Sequence, residues 1–291
     1  MAHEKTGWRC EREDLAFPDA DGIPDFVLPG RQSSVADFLH SYLNVRKAEG
    51  WGDSVVEYYR DLPYRDRTGR QRRIWQLRAR TFDTFLKHLG SAAPHRVLRV
   101  LDVGAGNCWL SARLAERGHT AFAVDINLDA VDGLGVCRRV SSGGYASVQP
   151  VRAEYDALPF APASFDTVIF NASLHYSPDI PKTVHCAMRL LTAGGKMYIL
   201  DSPLYRDAES GRDMVRERRE SVRRHHNVRI AEAHGGNFLT QETLNRLRET
   251  HRVEVLLPRY GLRWRLRPFV AHLLRRREPA TFAVIVIRES R

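Results

Sequence analysis

The chain has 291 residues, of which 43% are hydrophobic and 27% charged, with a formal net charge of +10. This is the composition of a soluble globular protein long enough to bury a sizeable core, and no apolar run approaches the ~20 residues that cross a bilayer. Cys10, Cys108, Cys137 and Cys186 are scattered with no CxxC pair, which argues against a disulfide framework or a metal site and for a reducing cytoplasm. The opening stretch MAHEKTGWRC lacks the apolar core of a signal peptide, so export is not expected.

Residues 1–30 are rich in Pro, Gly and Asp, and Gly22-Ile23-Pro24-Asp25-Phe26-Val27 reads as one short strand in a small irregular cap. Apolar positions from Val35 to Leu43, then Val55, Val56, Tyr58 and Tyr59, predict helices broken at Glu49-Gly50-Trp51-Gly52. From Arg73, residues Ile74, Leu77, Thr81, Phe82, Phe85, Leu86 and Leu89 repeat at three and four, an amphipathic helix that Gly90 should stop. The texture then changes. Val97–Val103 reads as a buried parallel strand, followed by a glycine turn and a helix from Trp109 to Glu116. Further strands are expected at 120–125, 147–152, 167–170 and 196–200, with helical stretches between them. Such alternation predicts a parallel sheet covered by helices on both faces. Two more strands, 253–257 and 282–287, flank a basic aromatic helix from Trp264 to Arg276. Residues 201–291 hold 20 Arg/Lys against 12 Asp/Glu, so +8 of the excess charge lies there. Acids interleave with the arginines (Arg216-Glu217-Arg218-Arg219-Glu220), which makes a solvated surface the simpler reading and nucleic-acid binding the sharper one.

The informative segment is Leu101-Asp102-Val103-Gly104-Ala105-Gly106-Asn107-Cys108-Trp109, which joins a strand to a helix. Glycines let the backbone turn and approach a ligand closely, and the helix start supplies free N–H groups. A dinucleotide fingerprint needs a third glycine where this chain has Trp109, whose bulk would block a pyrophosphate. A ligand with an amino-acid moiety suits Gly104, Ala105 and Gly106 better, with Asp102 as an acceptor for its amine. Asp125, nineteen residues after Gly106, ends the second strand and can accept from both ribose hydroxyls. Glu154 and the Tyr155 backbone N–H, after the third strand, suit an exocyclic amine and a ring nitrogen. Asn171 ends the fourth strand beside the same crevice, since ligands of open α/β sheets bind at the carboxyl ends of the strands. Each residue alone has a plain structural alternative, such as a helix cap for an Asp after a strand. The order and spacing of the set carry the reading.

At these residues Val97–Leu200 resembles class I S-adenosylmethionine (SAM)-dependent methyltransferases, particularly the group that includes ubiquinone/menaquinone-biosynthesis enzymes. Leu101–Gly106 is similar to their first motif, Ala123-Val124-Asp125-Ile126 to the ribose-binding segment, and Leu158-Pro159-Phe160 with Ser164-Phe165-Asp166 to a further stretch. Leu190–Lys196 resembles the L-x-P-G-G turn before strand five. The resemblance implies SAM as cofactor and an α/β, Rossmann-like, doubly wound seven-stranded sheet whose last strand is antiparallel, to which the helices read before Gly90 add an N-terminal helical cap. The family's third glycine is Cys108 here and its turn proline is Ala193. The stretch 22–26 is similar to the end of a zinc-ribbon-like module, but only Cys10 is present, so no zinc is expected. The division that follows is residues 1–90 as an irregular segment and helical lid, and 91–291 as the SAM-binding domain with an inserted cap at about 203–237.

Methyl transfer from a sulfonium is an in-line displacement that chiefly needs alignment. His175, just beyond strand four, is the candidate base, with a pocket-shaping histidine as the alternative. Tyr176 and Tyr205 are candidate pocket residues, and Trp51, Tyr58 and Tyr59 a candidate lid or plain packing. The basic segment 203–236 is placed to cap an acceptor site. With no N-P-P-Y type motif, an oxygen or carbon acceptor on a small molecule is favoured. An RNA or protein methyltransferase and a non-catalytic SAM-binding protein are the alternatives, and the oligomeric state is left open.

Overall fold

The computed structural model describes residues 2–4, 7–11, 13–92, 95–226 and 236–290. The N-terminal stretch is more ordered than its composition predicts. It forms a four-stranded antiparallel sheet of β1 (Ala2–Glu4), β2 (Gly7–Cys10), β3 (Leu15–Ala20) and β4 (Ile23–Pro24). Only two residues of the single expected strand are strand. Asp21 and Gly22 both take positive φ, 52° and 73°, and close a two-residue turn that pairs Ala20 with Ile23. That is the Asp-Gly hairpin chemistry in which both central residues are left-handed. The small sheet is fastened to the main one through a parallel bridge between Asp25 and Arg152, reinforced by a buried ion pair of 2.7 Å between their side chains.

Three helices follow: α1 (Gln32–Ala48), α2 (Val56–Asp61) and α3 (Arg72–Ala92). Gly90 does not end α3, which runs two residues past it. A glycine within a helix costs only ~1 kcal/mol against alanine. Burial of Trp75, Phe82, Phe85 and Leu89 along the inner face outweighs it.

The central sheet is laid down by β5 (Arg99–Val103), α4 (Trp109–Ala115), β6 (Thr120–Asp125), α5 (Gly135–Arg139), β7 (Gln149–Arg152), β8 (Phe165–Asn171), α6 (Ile180–Met188) and β9 (Leu191–Leu200). Then come β10 (Leu204–Tyr205), α7 (Ala208–His226), β11 (Leu239–Thr240), α8 (Gln241–Arg248), β12 (His251–Leu256), α9 (Leu262–Leu273) and β13 (Val284–Glu289). Seven strands pair in the order β12-β13-β9-β8-β5-β6-β7, and the last strand, β13, is antiparallel to both neighbours. The expected glycine turn before β9 lies inside the paired strand: Leu191 pairs with Phe165, and a register shift absorbs Gly194 at φ +76°. Because helices cover both faces, β5 buries Val100 and Leu101 on opposite sides. One face carries α2, α3 and α4 through Tyr59, Phe85 and Trp109. The other carries α6 and α8 through Val184 and Leu244, together with Phe17 and Phe26 of the N-terminal stretch. The parallel pair β10–β11 closes the base of the basic segment 203–237, most of which is α7; its residues 227–235 lie outside the described residues.

Candidate functional site

The loop from β5 to α4 is tied to the end of β6. The Gly104 and Ala105 N–H groups donate to the Val124 carbonyl at 2.7 and 3.0 Å. Gly104 sits at φ +73°, and a Cβ there would fall 2.3 Å from the Ser173 Cβ, so only glycine fits. The Gly106 N–H donates to Asp125 Oδ2 and the Asn127 N–H to Oδ1, both at 2.8 Å. Cys108 takes φ +60° just before α4, the conformation that the family's glycine adopts without a side-chain penalty. Its thiol is fully buried and pushed well up by desolvation and by Cys137 beside it, the state of a packing residue and not of a nucleophile.

At the carboxyl ends of β5, β6, β7 and β8 lies a crevice roofed by α1. Its narrow end is lined by Asp125, Ile126, Glu154 and Tyr155 below, with Phe38 and Tyr42 above. Burial raises the pKa of Asp125, against the backbone N–H groups that hold its charged form. Glu154 is held by Arg31 of the roof, at 2.6 and 3.2 Å, and this pairing raises Arg31. The Tyr155 hydroxyl donates to the Tyr176 carbonyl at 2.8 Å.

The crevice continues past Gly104, Gly106, Tyr42 and Tyr176 into a wider cavity of about 610 Å³. Ala105, Asn171 and His175 meet here with Arg46, Arg78 and Arg218. Arg46 forms a two-pronged pair with Asp132 at 2.5 and 2.8 Å and lies 3.8 Å over the Trp51 ring. Arg218 pairs with Glu49 at 3.2 Å. Arg78 lies over Trp75 and Trp51, and among the described residues its side chain makes no hydrogen bond or ion pair. Desolvation lowers its pKa, with the Asp201 charge working against that. Asn171 Oδ1 is buried, with no partner among the described residues. The His175 Nδ1 is 3.2 Å from the Ser202 hydroxyl, and burial, then the charges of Arg218 and Arg78, lower its pKa to about 3. The ring is therefore neutral across the physiological range.

Of the residues singled out from the sequence, Gly104, Gly106, Asp125, Ile126, Glu154 and Tyr155 meet at the narrow end, and Ala105, Asn171 and His175 at the wide one. Asp102 does not reach the crevice. Its carboxylate points beneath the loop, where Oδ2 accepts from Ser111 of α4 at 2.7 Å and Oδ1 has no partner among the described residues. Desolvation pushes its pKa up to about 7. A carboxyl whose folded pKa lies above its unfolded value binds its proton more tightly when folded. Its contribution to stability is present below about pH 4 and is lost as pH rises through about 7. Asp102→Asn is thus expected to flatten part of the fall in melting temperature over that window, read by thermal melts across pH. A variant with the wild-type pH profile would show that Asp102 is not the titrating group.

Tyr176 and Trp51 line the wide cavity, whereas Tyr58 and Tyr59 are fully buried core and form no lid. Tyr205 is buried against Phe238, with ring centres 5.8 Å apart. Arg46, Arg78, Arg218 and Asp132 were not legible as site residues. The arginines occupy helical stretches where a basic side chain reads as solvated surface, and nothing local marks which one turns inward.

A strand order with β13 inserted antiparallel beside β9, and a glycine loop meeting an acid at the end of the second strand, define a class I SAM-dependent methyltransferase fold. Residues 101–199 match the family described as "Methyltransferase domain", and the methyl donor of this family and fold is SAM. The chain resembles a malonyl-(acyl-carrier protein) O-methyltransferase of Erwinia pyrifoliae, 28% identical over 122 residues, 42% of this chain and 43% of that protein. It also resembles a ubiquinone biosynthesis O-methyltransferase of Azoarcus sp., 30% identical over 147 residues, 49% and 60% of the two chains. A ubiquinone/menaquinone biosynthesis C-methyltransferase UbiE of Rhizobium leguminosarum bv. trifolii is 32% identical over 106 residues, 35% and 41%. The chain spans about half the length of the curated relatives it matches.

The residues present fit SAM on three counts. The glycine loop cannot carry a Cβ at Gly104, the Arg78 guanidinium lines the same cavity as that loop with no ion pair among the described residues, and Asn171 Oδ1 has no hydrogen-bond partner among them.

Proposed function

We propose that this protein transfers the methyl group of SAM to an oxygen or carbon atom of a small-molecule acceptor. The observation that carries the reading is the single crevice in which a narrow end built on Asp125 opens at the glycine loop into a cavity holding Arg78, Asn171 and His175. When bound, SAM supplies an electrophilic methyl on a sulfonium. Asp125 accepts from the ribose hydroxyls, and Ile126 and the Tyr155 backbone meet the base. Glu154, oriented by Arg31, keeps lone pairs for the exocyclic amine. The loop 104–106 holds the methionine end, and Arg78, whose side chain makes no ion pair among the described residues, pairs with its carboxylate. Asn171 Oδ1 accepts from a ligand N–H or O–H. Asp102 braces the loop from beneath through Ser111.

A general base works best with a pKa near the operating pH. With its pKa near 3, His175 is assigned to orient the acceptor as a neutral hydrogen-bonding group. Alignment of acceptor and methyl is then the main contribution of the site, several kcal/mol by order of magnitude. Residues 1–90 contribute the roof and 91–291 the SAM-binding domain, with 203–237 capping the acceptor. The free cysteines suit a reducing cytoplasm, and among the described residues no helix is long and apolar enough to cross a membrane.

The test is a labelled-methyl transfer screen with purified protein over metabolite extracts and over RNA. Label in a small product that requires the protein is the expected result. Label confined to RNA, or SAM binding by calorimetry with no transfer to any acceptor, would overturn it.

A further inference from the structure

Helix α9 (Leu262–Leu273) presents its apolar face to solvent. Leu262, Leu266, Phe269, Val270 and Leu273 recur at the spacing that lines one side of a helix. An ordinary surface helix turns such a stripe into the core. Here these residues are 46–70% exposed, and no residue of the helix is buried. The side turned to the body is the opposite one, where the Trp264 ring lies 4.7 Å from Tyr260 and 6.0 Å from Phe282.

Charge identifies what covers this face. From Val255 to Arg277 there is no Asp or Glu but there are seven arginines. Arg263 and Arg265 flank the stripe on its two sides, and Arg275 and Arg276 follow its end. Among the described residues, the side chains of these four make no ion pair or hydrogen bond. An apolar stripe bordered by unpaired arginines complements an anionic lipid surface, into which such a helix lies flat. A twofold contact with a second copy would bring the arginines of both copies together in a self-matching patch. A nucleic acid would leave the leucines and Phe269 uncovered. Twelve residues, ~18 Å of helix, cannot span a bilayer.

We propose that α9 is an interfacial helix that seats the protein on anionic membranes. Phe282 lines the wide cavity and Trp264 rests on it, so seating sets that cavity beside the lipid. Co-flotation of the full chain with phosphatidylcholine vesicles and with mixed phosphatidylcholine–phosphatidylglycerol vesicles tests this. Partition onto the anionic vesicles is expected to be at least roughly tenfold stronger, and to weaken at high salt. L266E and F269E should abolish it while leaving SAM binding and the circular dichroism spectrum unchanged, because both side chains are exposed and neither belongs to the core. R263Q with R265Q should remove most of the anionic preference. No flotation with either vesicle, or flotation indifferent to L266E and F269E, would overturn the proposal. So would concentration-dependent self-association that the same substitutions abolish, without vesicle binding.

Discussion

Asp125→Ala is expected to weaken SAM binding by about 3 kcal/mol, a factor of about a hundred in Kd. The carboxylate serves two functions. It receives the Gly106 and Asn127 backbone N–H groups at 2.8 Å each, which holds the glycine loop against the end of β6. Its remaining lone pairs face the crevice, where two ribose hydroxyls would meet them. Alanine removes both at once and leaves two N–H groups without their acceptor. Asp125→Asn keeps one acceptor oxygen and should fall between the two. Calorimetry with SAM, and with an analogue lacking the ribose hydroxyls, separates the functions. If the carboxylate holds the sugar, the analogue should bind wild type more weakly than SAM does and lose less affinity in the variant than SAM loses, because the two changes share the ribose contact. Full additivity would show that the acid acts on the loop alone. Unchanged SAM affinity in Asp125→Ala would remove the ribose assignment entirely.

The acid was legible in the sequence because strand period, strand end and glycine loop lie within one short stretch of chain. Local pattern specifies them, and β6 has the bounds expected from the sequence, Thr120–Asp125. The direction of a side chain below the loop was not legible in the same way. Asp102 sits at the expected strand position, yet whether its carboxylate faces ligand or helix depends on Ser111, nine residues away on α4. The roof was harder still. Arg46 meets Asp132 across 86 residues, and Thr81 of α3 donates to Asp201 at 2.7 Å across 120. No periodicity in α1 or α3 marks these partners, since they are set by how helices close over strand ends. Some misses had a readable signal. Asp21-Gly22 is a hairpin turn by composition alone, and Tyr58-Tyr59, adjacent on a short helix, pack into core from two directions. Gly90 misled because a stop signal is weak where the face beside it is strongly apolar.

Trp109→Ala is expected to destabilise the fold by about 3–5 kcal/mol, the range for deleting a large aromatic ring from a packed core. Trp109 is 3% exposed and begins α4 directly after the glycine loop. Its ring stands edge-on to Trp75 at 5.8 Å and to Phe82 at 5.3 Å, so two residues of α3 grip the first residue of α4. The effect should therefore appear in two measurements. Urea unfolding should show the lost stability, and SAM affinity should fall because Cys108 at φ +60° loses the anchor that follows it. Trp109→Phe keeps an aromatic ring at the site and should recover more than half of the stability. A loss below about 1 kcal/mol in Trp109→Ala would mean that the cluster closes over the gap without cost, outside the usual behaviour of a packed interior. A full stability loss with unchanged SAM affinity would separate the two links. The Trp109 ring would then hold α3 to α4 without shaping the loop itself.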